Sequence, residues 1–252
     1  MENTSLCILG ACKNSEPFLA GVLANLDLVS SWFKECRVVI YENDSTDRTH
    51  EILSEWANIR GHNIHRQIIK ETNLNDRFPD RTIRLAYIRN TLLCHIPPGF
   101  DYFMVVDLDD VFGRPVKKES FESCFAMRDA WDVVTANGYG GYYDIWPLRI
   151  PGVIDFDCWQ KYYEMWRSGK YTQAEATYEA IEKFKDYMRD VDKPLYVDGA
   201  FNIAMISKVS ILRPCCRYAG VDKGVSCTEH YPFQKCLRSH GARILFNPDF
   251  RL

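Results

Sequence analysis

The chain has 252 residues, of which 46% are hydrophobic and 26% charged, as in ordinary globular proteins and unlike disordered, collagen-like or coiled-coil chains. Its 31 Lys and Arg against 34 Asp and Glu give a net charge of -3, so no basic excess is available to neutralise a nucleic acid. No stretch approaches the ~18 apolar residues of a membrane span, and the N-terminus lacks the features of a signal peptide. We therefore expect a cytoplasmic globular protein with no nucleic acid partner and no membrane span.

The ten cysteines mostly have apolar neighbours in the sequence. Without a secretion signal, such residues are expected to be reduced and to serve as small core side chains. A zinc site made of Cys227, His230, Cys236 and His240 is an alternative, but these residues lack the paired C-x2-C spacing of structural zinc sites.

In the first 110 residues, short apolar or β-branched runs alternate with segments whose apolar residues recur at helical spacing. Strands are predicted at residues 6–9, 37–41, 65–69 and 102–106, with helices carrying the apolar residues of 19–29 and 52–56 and a helix over 82–94. This alternation predicts a mostly parallel, doubly wound α/β sheet.

After residue 110 the alternation weakens. Strands are predicted at residues 133–136, 201–206 and 243–246, a Gly/Tyr loop at 137–143, a helix-rich stretch over 156–189 and a helix near 232–240. No linker rich in Gly, Ser or Pro divides the chain. We predict one α/β domain over residues 1–252, whose second half elaborates the sheet.

The strongest chemical signal is Asp107-Leu108-Asp109-Asp110, directly after the predicted strand 102–106. Ligands of open α/β sheets bind beyond the carboxyl ends of the strands, and three adjacent carboxylates repel one another unless a cation lies between them. Oxygen ligands from one or two Asp suit Mg²⁺ or Mn²⁺, which also accept diphosphate oxygens. The cluster predicts a divalent metal site, with a solvated acidic turn as the simpler alternative.

Two further polar segments lie at a predicted strand end and a predicted helix start. Residues 41–49 contain Glu42 and Asp44, whose carboxylates could accept hydrogen bonds from a ribose hydroxyl or a base, while the Ser and Thr of the segment could cap the next helix. Arg81 and Arg84 begin the predicted helix 82–94, where guanidinium groups and the helix dipole both favour phosphate. Helix capping and solvated arginines are the corresponding structural alternatives.

The order of these segments resembles that of nucleotide-diphospho-sugar glycosyltransferases of the GT-A fold, and in detail that of the cryptococcal mannosyltransferase (capsule-associated) family. The resemblance covers nearly the whole chain. It rests on residues 42–47, Arg84, Arg89-Asn90, Asp107-Leu108-Asp109, Tyr143-Asp144-Ile145-Trp146, Asp198-Gly199, Thr228-Glu229-His230 and Asn247-Pro248.

This resemblance implies metal-dependent transfer of a sugar from a nucleotide-diphosphate donor, UDP- or GDP-linked, to a hydroxyl acceptor, expected to be a glycan or glycoconjugate. It implies that residues 1–110 bind the nucleotide sugar and that residues 111–252 form the acceptor side. By the same resemblance, Asp44 contacts the nucleotide, and Asp107 and Asp109 hold Mn²⁺ or Mg²⁺ together with the diphosphate.

The resemblance also places Glu229 or His230 where such enzymes carry a base or a further metal ligand. If the reaction inverts the configuration of the sugar, a carboxylate must take the proton of the acceptor hydroxyl, and Glu229, Asp198 and Asp144 are the candidates. A retaining reaction needs no separate base. The sequence leaves both stereochemical outcomes open.

Two other functions fit part of the sequence. In a haloacid-dehalogenase-like phosphatase, Asp107 would attack phosphate and Asp109 would act as acid and base, but that motif normally lies on the first strand, and no late paired-Asp metal motif is evident. A non-catalytic module that binds a sugar or nucleotide is the other alternative. Turnover of a nucleotide sugar separates the first function from both.

Overall fold

The computed structural model describes residues 1–59 and 63–252. The strands are β1 (Ser5–Cys12), β2 (Glu35–Asn43), β3 (Ile64–Glu71), β4 (Tyr102–Asp107), β5 (Val133–Asn137), β6 (Leu195–Val197), β7 (Ala204–Lys208), β8 (Val221–Asp222), β9 (Val225–Ser226) and β10 (Ile244–Arg251). The helices are α1 (Glu16–Ser30), α2 (Thr49–Ala57), α3 (Leu74–Arg77), α4 (Arg81–Leu93), α5 (Lys118–Ala126), α6 (Cys158–Arg167), α7 (Gln173–Thr177), α8 (Lys183–Arg189) and α9 (His230–Ser239). Across the described ranges, none of the helices combines the length and apolar character needed to cross a membrane.

Eight strands form one mixed sheet in the order β3-β2-β1-β4-β7-β5-β10-β6, and β8 and β9 form a separate hairpin. The β1–β2, β2–β3 and β1–β4 pairs are parallel, which confirms the α/β prediction for the first half. In the second half β5 and β10 are parallel, whereas β7 runs antiparallel to β4 and β5, and β6 antiparallel to β10.

β1, β2 and β4 are buried on both faces, which explains their nearly continuous apolar sequences, whereas the edge strand β3 is only partly buried. In β1, Cys7 and Leu9 join a core that includes α4 and α9. The alternate residues Leu6 and Ile8 join a second core with α1, α2 and α5, because successive side chains of a strand point to opposite faces. Two helical layers therefore cover the sheet and leave its strand ends open for a site.

The predicted strand at 201–206 begins later than expected. β7 starts at Ala204 and ends at Lys208, because residues 201–203 form an irregular segment in which Ile203 has a positive φ of 77°, a conformation that β-branched residues rarely adopt. The strand predicted at 243–246 continues to Arg251 as β10. The first difference lies at the start of β7 next to the candidate site, whose wall includes Phe201, and the second lengthens the last strand of the chain.

The expectation that all ten cysteines are reduced is wrong for one pair. Cys216 and Cys236 form a disulfide with a Cα–Cα distance of 5.3 Å. The argument from apolar neighbours missed this pair because the loop after β7 folds back over α9 and joins residues that are 20 positions apart. The core interpretation fits six of the eight free cysteines, which are buried, but not the exposed Cys94 and Cys215. Burial raises the pKa of Cys36 and Cys124 to about 12 and keeps these thiols protonated.

A partly exposed ion cluster joins the second-half strands at Asp132, which directly precedes β5. Asp132 accepts hydrogen bonds from the backbone N–H of Arg243 at 2.9 Å, from Arg243 Nε at 3.1 Å and from Lys208 Nζ at 3.2 Å. Burial opposes ionisation of Asp132, but these hydrogen bonds outweigh it and lower its pKa to about 2. The cluster fixes the ends of β5, β7 and β10 relative to one another.

The lowered pKa of Asp132 predicts an acid-sensitive part of the folding free energy. Because the folded-state pKa lies below the unfolded value, this stabilisation is full above about pH 4 and is lost as the pH falls toward about 2. The difference amounts to about 2 kcal/mol. Urea unfolding between about pH 5 and about pH 3 should show a steeper loss of stability for the wild type than for Asp132→Asn. Equal slopes in both proteins, with the surface variant Asp186→Asn as control, would contradict this assignment.

Candidate active site

The predicted acidic cluster lies at the carboxyl end of β4, beside the end of β1. Asp107 is the last residue of β4 and pairs with Ala11 of β1. The side chain of Leu108 packs directly on Gly10 of β1, because a Cβ atom on Gly10 would lie 2.4 Å from Leu108 Cδ1. Asp109 is exposed and accepts a hydrogen bond from the N–H of Val111 at 3.3 Å, which holds the turn after the strand in place.

A buried arginine links two of the predicted carboxylates. Arg89, on α4, donates from Nη2 to Asp107 Oδ1 at 3.0 Å and from Nε to Glu229 Oε1 at 2.8 Å, and its side chain is only 6% exposed. Burial disfavours the charged guanidinium, but the attraction of Glu229 and Asp107 outweighs this and raises the pKa of Arg89. Arg89 therefore stays charged and fixes Asp107 against the start of α9.

His230 belongs to the same buried group. Its ring stacks on Phe201 with centroids 3.6 Å apart, and its Nε2 lies 3.3 Å from Glu229 Oε1. Burial and the nearby Arg89 lower the pKa of His230 well below its ordinary value. His230 is thus a neutral imidazole, and its buried Nδ1 has no hydrogen-bond partner among the described residues.

These side chains line a cleft beyond the strand ends. Its wall also includes Asp144, whose backbone N–H points to Asn202 Oδ1 and whose own carboxylate accepts from the N–H of Trp146 at 3.1 Å. The cleft is lined by Ala11, Arg81, Leu85, Arg89, Asp107, Leu108, Asp109, Asp144, Trp146, Phe201, Thr228, Glu229 and His230. A second cleft, with Asp110 and Tyr143 in its wall, lies on the other side of the same two segments.

The carboxyl groups of the cleft are unusually basic. Burial raises the pKa of Asp144 to about 7, and the charges of Asp107 and Glu229 add to the increase. Burial also raises the pKa of Asp107 to about 6 in spite of Arg89, with a contribution from Asp109. Asp109 reaches solvent, but partial desolvation by the surrounding cleft and the charge of Asp110 raise its pKa. The cleft therefore concentrates negative charge that a cation or a proton would stabilise.

The structure brings some of the predicted site residues into this cleft and directs others to different contacts. Arg81, Asp107, Asp109, Asp144, Glu229 and His230 all line it. Arg84 instead donates to the carbonyl oxygens of Phe78 and Pro79, and Asp198 pairs with Arg238 Nη2 at 2.8 Å. Neither of these two side chains lines the cleft.

The predicted nucleotide contacts Glu42 and Asp44 organise the turns around them. Glu42 is buried and accepts from the N–H of Ser45. Asp44 accepts from three successive backbone N–H groups, those of residues 73–75. Burial opposes ionisation of Asp44, but Asn43 and these backbone donors lower its pKa. Both carboxylates thus bind backbone N–H groups, but Asp44 does so at the start of α3, and the Ser and Thr of the segment do not cap α2.

Metal-ligand geometry separates the candidate residues further. Asp107 and Asp109 supply carboxylate oxygens of the kind that Mg²⁺ and Mn²⁺ bind together with water and phosphate. In the described part of the chain, the ligating atoms of Cys215, Cys216, Cys236 and His240 all lie within 4.8 Å of one another. His230 forms no such group with Asp107 and Asp109 there. The zinc set considered from the sequence is thus divided, because Cys236 and His240 join that group while His230 lies in the cleft.

Sequence reasoning did not select Arg89 and Phe201 as site residues. A signal for Arg89 is present, since it falls on the apolar face of α4 between the buried Ala86 and Leu92, and a charge in that position needs a buried partner. Phe201, over which Arg89 lies at 5.2 Å, carries no such signal, because a phenylalanine before a strand is ordinarily a core residue.

The fold of the chain is similar to that of several solved structures. The 1-349 form of S. aureus TarS is 16% identical, matching 98% of this chain and 58% of its own, with a TM-score of 0.53. The mannosyltransferase PcManGT from Pyrobaculum calidifontis, solved in complex with GDP-Man and Mn²⁺, is 12% identical, matching 100% of this chain and 56% of its own, with a TM-score of 0.58. The chain has the GT-A fold.

This result confirms the fold expected from the order of motifs. The chain spans a little over half the length of these two structures. No protein-family model and no curated protein sequence matches it. The cleft that contains Asp107 and Asp109 lies beyond the carboxyl ends of the strands, where ligands of open α/β sheets bind.

Proposed function

We propose that this chain is a metal-dependent glycosyltransferase that moves a sugar from a nucleotide-diphosphate donor to a hydroxyl acceptor. The observation that carries the proposal is the group of Asp107, Asp109 and Asp144 in one cleft of a GT-A fold, each with a raised pKa. Mutually repelling carboxylates in a cleft are a site for a cation or for acid–base chemistry. Arg81 supplies a positive charge at the cleft wall.

Asp107 and Asp109 would hold the metal, Mn²⁺ or Mg²⁺. The metal, when bound to the diphosphate, supplies stabilisation of the charge that develops on the departing nucleoside diphosphate. The presence of Mn²⁺ with GDP-Man in PcManGT supports this choice of cofactor. His230 has its contacts with Glu229 and Phe201, so its role as a further ligand requires a movement of the ring.

The chain's own side chains perform the remaining work. Arg81 begins α4, where the helix N-terminus and the guanidinium both favour phosphate. Arg89 holds Asp107 and Glu229 in a fixed arrangement, which is the preorganisation that electrostatic catalysis needs. Phe201 and Trp146 provide apolar walls that restrict water in the cleft.

For an inverting reaction, the contacts favour Asp144 over Glu229 as the base. The carboxylate of Glu229 is neutralised by Arg89 at 2.8 Å, whereas among residues 1–59 and 63–252 the carboxylate of Asp144 has only the N–H of Trp146 as a donor. Its pKa of about 7 is close to the ideal for a general base at neutral pH. Asp144 would take the acceptor proton, and Glu229 would position Arg89.

The proposed donor is a sugar linked to GDP or UDP, and mannose is the first sugar to test. The order of motifs that resembles the cryptococcal mannosyltransferase family and the GDP-Man complex of PcManGT both support that choice. The acceptor is a glycan or glycoconjugate, and residues 1–110 and 111–252 form the donor and acceptor sides. The exposed aromatic residues of α6, including Trp159 and Trp166, offer stacking surfaces for such an acceptor.

Donor hydrolysis tests the proposal without knowledge of the acceptor. The purified chain, freed of metal, should release nucleoside diphosphate from GDP-mannose or another nucleotide sugar only after Mn²⁺ or Mg²⁺ is added. Donors that bind should also raise the melting temperature in the presence of the metal. Cleavage of phosphate monoesters with no release from any nucleotide sugar would point to a phosphatase instead, and binding without turnover would point to a non-catalytic module.

A further inference from the structure

A second cluster of metal-ligating side chains lies at the far end of α9, away from the donor cleft. It consists of Cys215, Cys216, Cys236 and His240, whose ligating atoms all lie within 4.8 Å of one another. Along the axis of α9, Cys236 lies roughly 9 Å and His240 roughly 15 Å from His230. The cluster has no part in the proposed transfer reaction.

The disulfide accounts for only half of this cluster. Cys216 and Cys236 are joined, yet Cys215 Sγ also lies 3.8 Å from His240 Nε2. Tetrahedral zinc with Zn–S of about 2.3 Å and Zn–N of about 2.0 Å keeps neighbouring ligand atoms about 3.5 to 3.8 Å apart. The convergence of a third sulfur and an imidazole on the pair has the size of a zinc coordination shell.

The imidazole of His240 is also oriented as a metal ligand. Its Nδ1 lies 2.9 Å from the carbonyl oxygen of Cys236, and that contact is a hydrogen bond only if Nδ1 carries the proton. The lone pair of Nε2 then faces Cys215 Sγ. Ligating histidines ordinarily donate their other ring N–H to a carbonyl or carboxylate in this way.

We propose that Cys215, Cys216, Cys236 and His240 form a structural zinc site of the Cys₃His type when Cys216 and Cys236 are reduced. A dithiol reductant opens the disulfide by supplying two electrons and two protons, and is itself oxidised to a disulfide. The three thiols then lose three protons as their sulfurs bind Zn²⁺ through S–Zn bonds, with His240 Nε2 as the fourth ligand. The exposed Arg213 and Arg217 flank the cysteine pair in sequence and offset the negative charge of three thiolates around one Zn²⁺.

Zinc content and cobalt spectroscopy test the proposal. The chain, purified from zinc-supplemented cells with a phosphine reductant throughout, should carry one zinc ion per chain in an Asp109→Asn background that removes the donor-site metal. The phosphine takes oxygen from a water molecule as it reduces the disulfide to two thiols. Co²⁺ in place of zinc should show thiolate charge transfer and the visible bands of tetrahedral coordination.

Variants at the exposed ligands give the matched comparison. Cys215→Ser and His240→Ala should each weaken zinc binding by at least about tenfold, while Cys94→Ser, an exposed free cysteine on the neighbouring helix end, should leave it unchanged. Far-ultraviolet circular dichroism confirms that each variant is folded. Absence of zinc from the reduced chain, or equal zinc binding by the oxidised chain or by Cys215→Ser, would overturn the site. None of these outcomes depends on glycosyl transfer.

Discussion

Asp109→Asn should abolish metal-dependent sugar transfer while leaving the chain folded. Asp109 is exposed, and the contact of its side chain in the described residues is the N–H of Val111, so an amide keeps the turn. The change removes a charge from a cluster of repelling carboxylates and should not lower the free energy of unfolding. Calorimetry with Mn²⁺ and GDP or UDP should show loss of metal-dependent nucleotide binding.

Asp110→Asn is the matched control for that variant. It makes the same change in charge at the next residue, which lines the neighbouring cleft rather than the one that contains Asp107 and Asp109. Asp107→Asn is less informative, because it takes a partner from the buried Arg89 and so combines loss of the metal site with loss of stability. Undiminished Mn²⁺-dependent binding by Asp109→Asn would rule out the metal assignment.

Asp144→Asn should slow transfer by about 10²- to 10⁴-fold if Asp144 is the general base. Donor affinity should change by less than about threefold, which is under about 1 kcal/mol, because the substitution preserves the shape of the side chain. Because the base must be deprotonated, the wild-type kcat/KM should decrease as the pH falls below the pKa of Asp144, which is about 7. This decrease at acidic pH should vanish in the variant. Initial rates with a fixed acceptor across pH provide the measurement.

Glu229→Gln distinguishes a base from a positioning residue. It leaves Arg89 with Asp107 as its ion-pair partner in a buried site, and should lower the free energy of unfolding by about 3 kcal/mol. The acid limb of the pH profile should remain in this variant. If Glu229→Gln removes the limb and Asp144→Asn keeps it, Glu229 is the base; if neither variant slows transfer, the reaction proceeds without a separate base.

Most of the first half of the fold was predictable because β1, β2 and β4 are buried on both faces. β1, β2 and β4 have continuous apolar sequences, and the helices between them have clear apolar periodicity. The antiparallel direction of β7 was not predictable, since a strand sequence carries no sign of its direction. β6, with three residues, is too short for a period of two to be visible.

Charged residues of the candidate site could be predicted where they are neighbours in the sequence. They could not be predicted where residues distant in the sequence come together only in the folded chain. Asp107 and Asp109 are adjacent to a buried strand, so a local pattern revealed them. Arg89 and Glu229 are separated by 140 positions and meet only through the packing of α4 against α9. Asp198 has a carboxylate of the right type, yet it pairs with Arg238, because the segment after β6 lies against α9 in the folded chain.

The Cys216–Cys236 link closes a segment that includes the β8–β9 hairpin and the Thr228, Glu229 and His230 wall of the cleft. Tyr218, inside the segment, exchanges two hydrogen bonds with Asn90 of α4 at 2.8 and 2.9 Å. A cross-link over 20 positions removes about 3 kcal/mol of chain entropy from the unfolded ensemble. The cleft wall is thus ordered during folding, and a ligand that enters does not bear that entropy loss on binding.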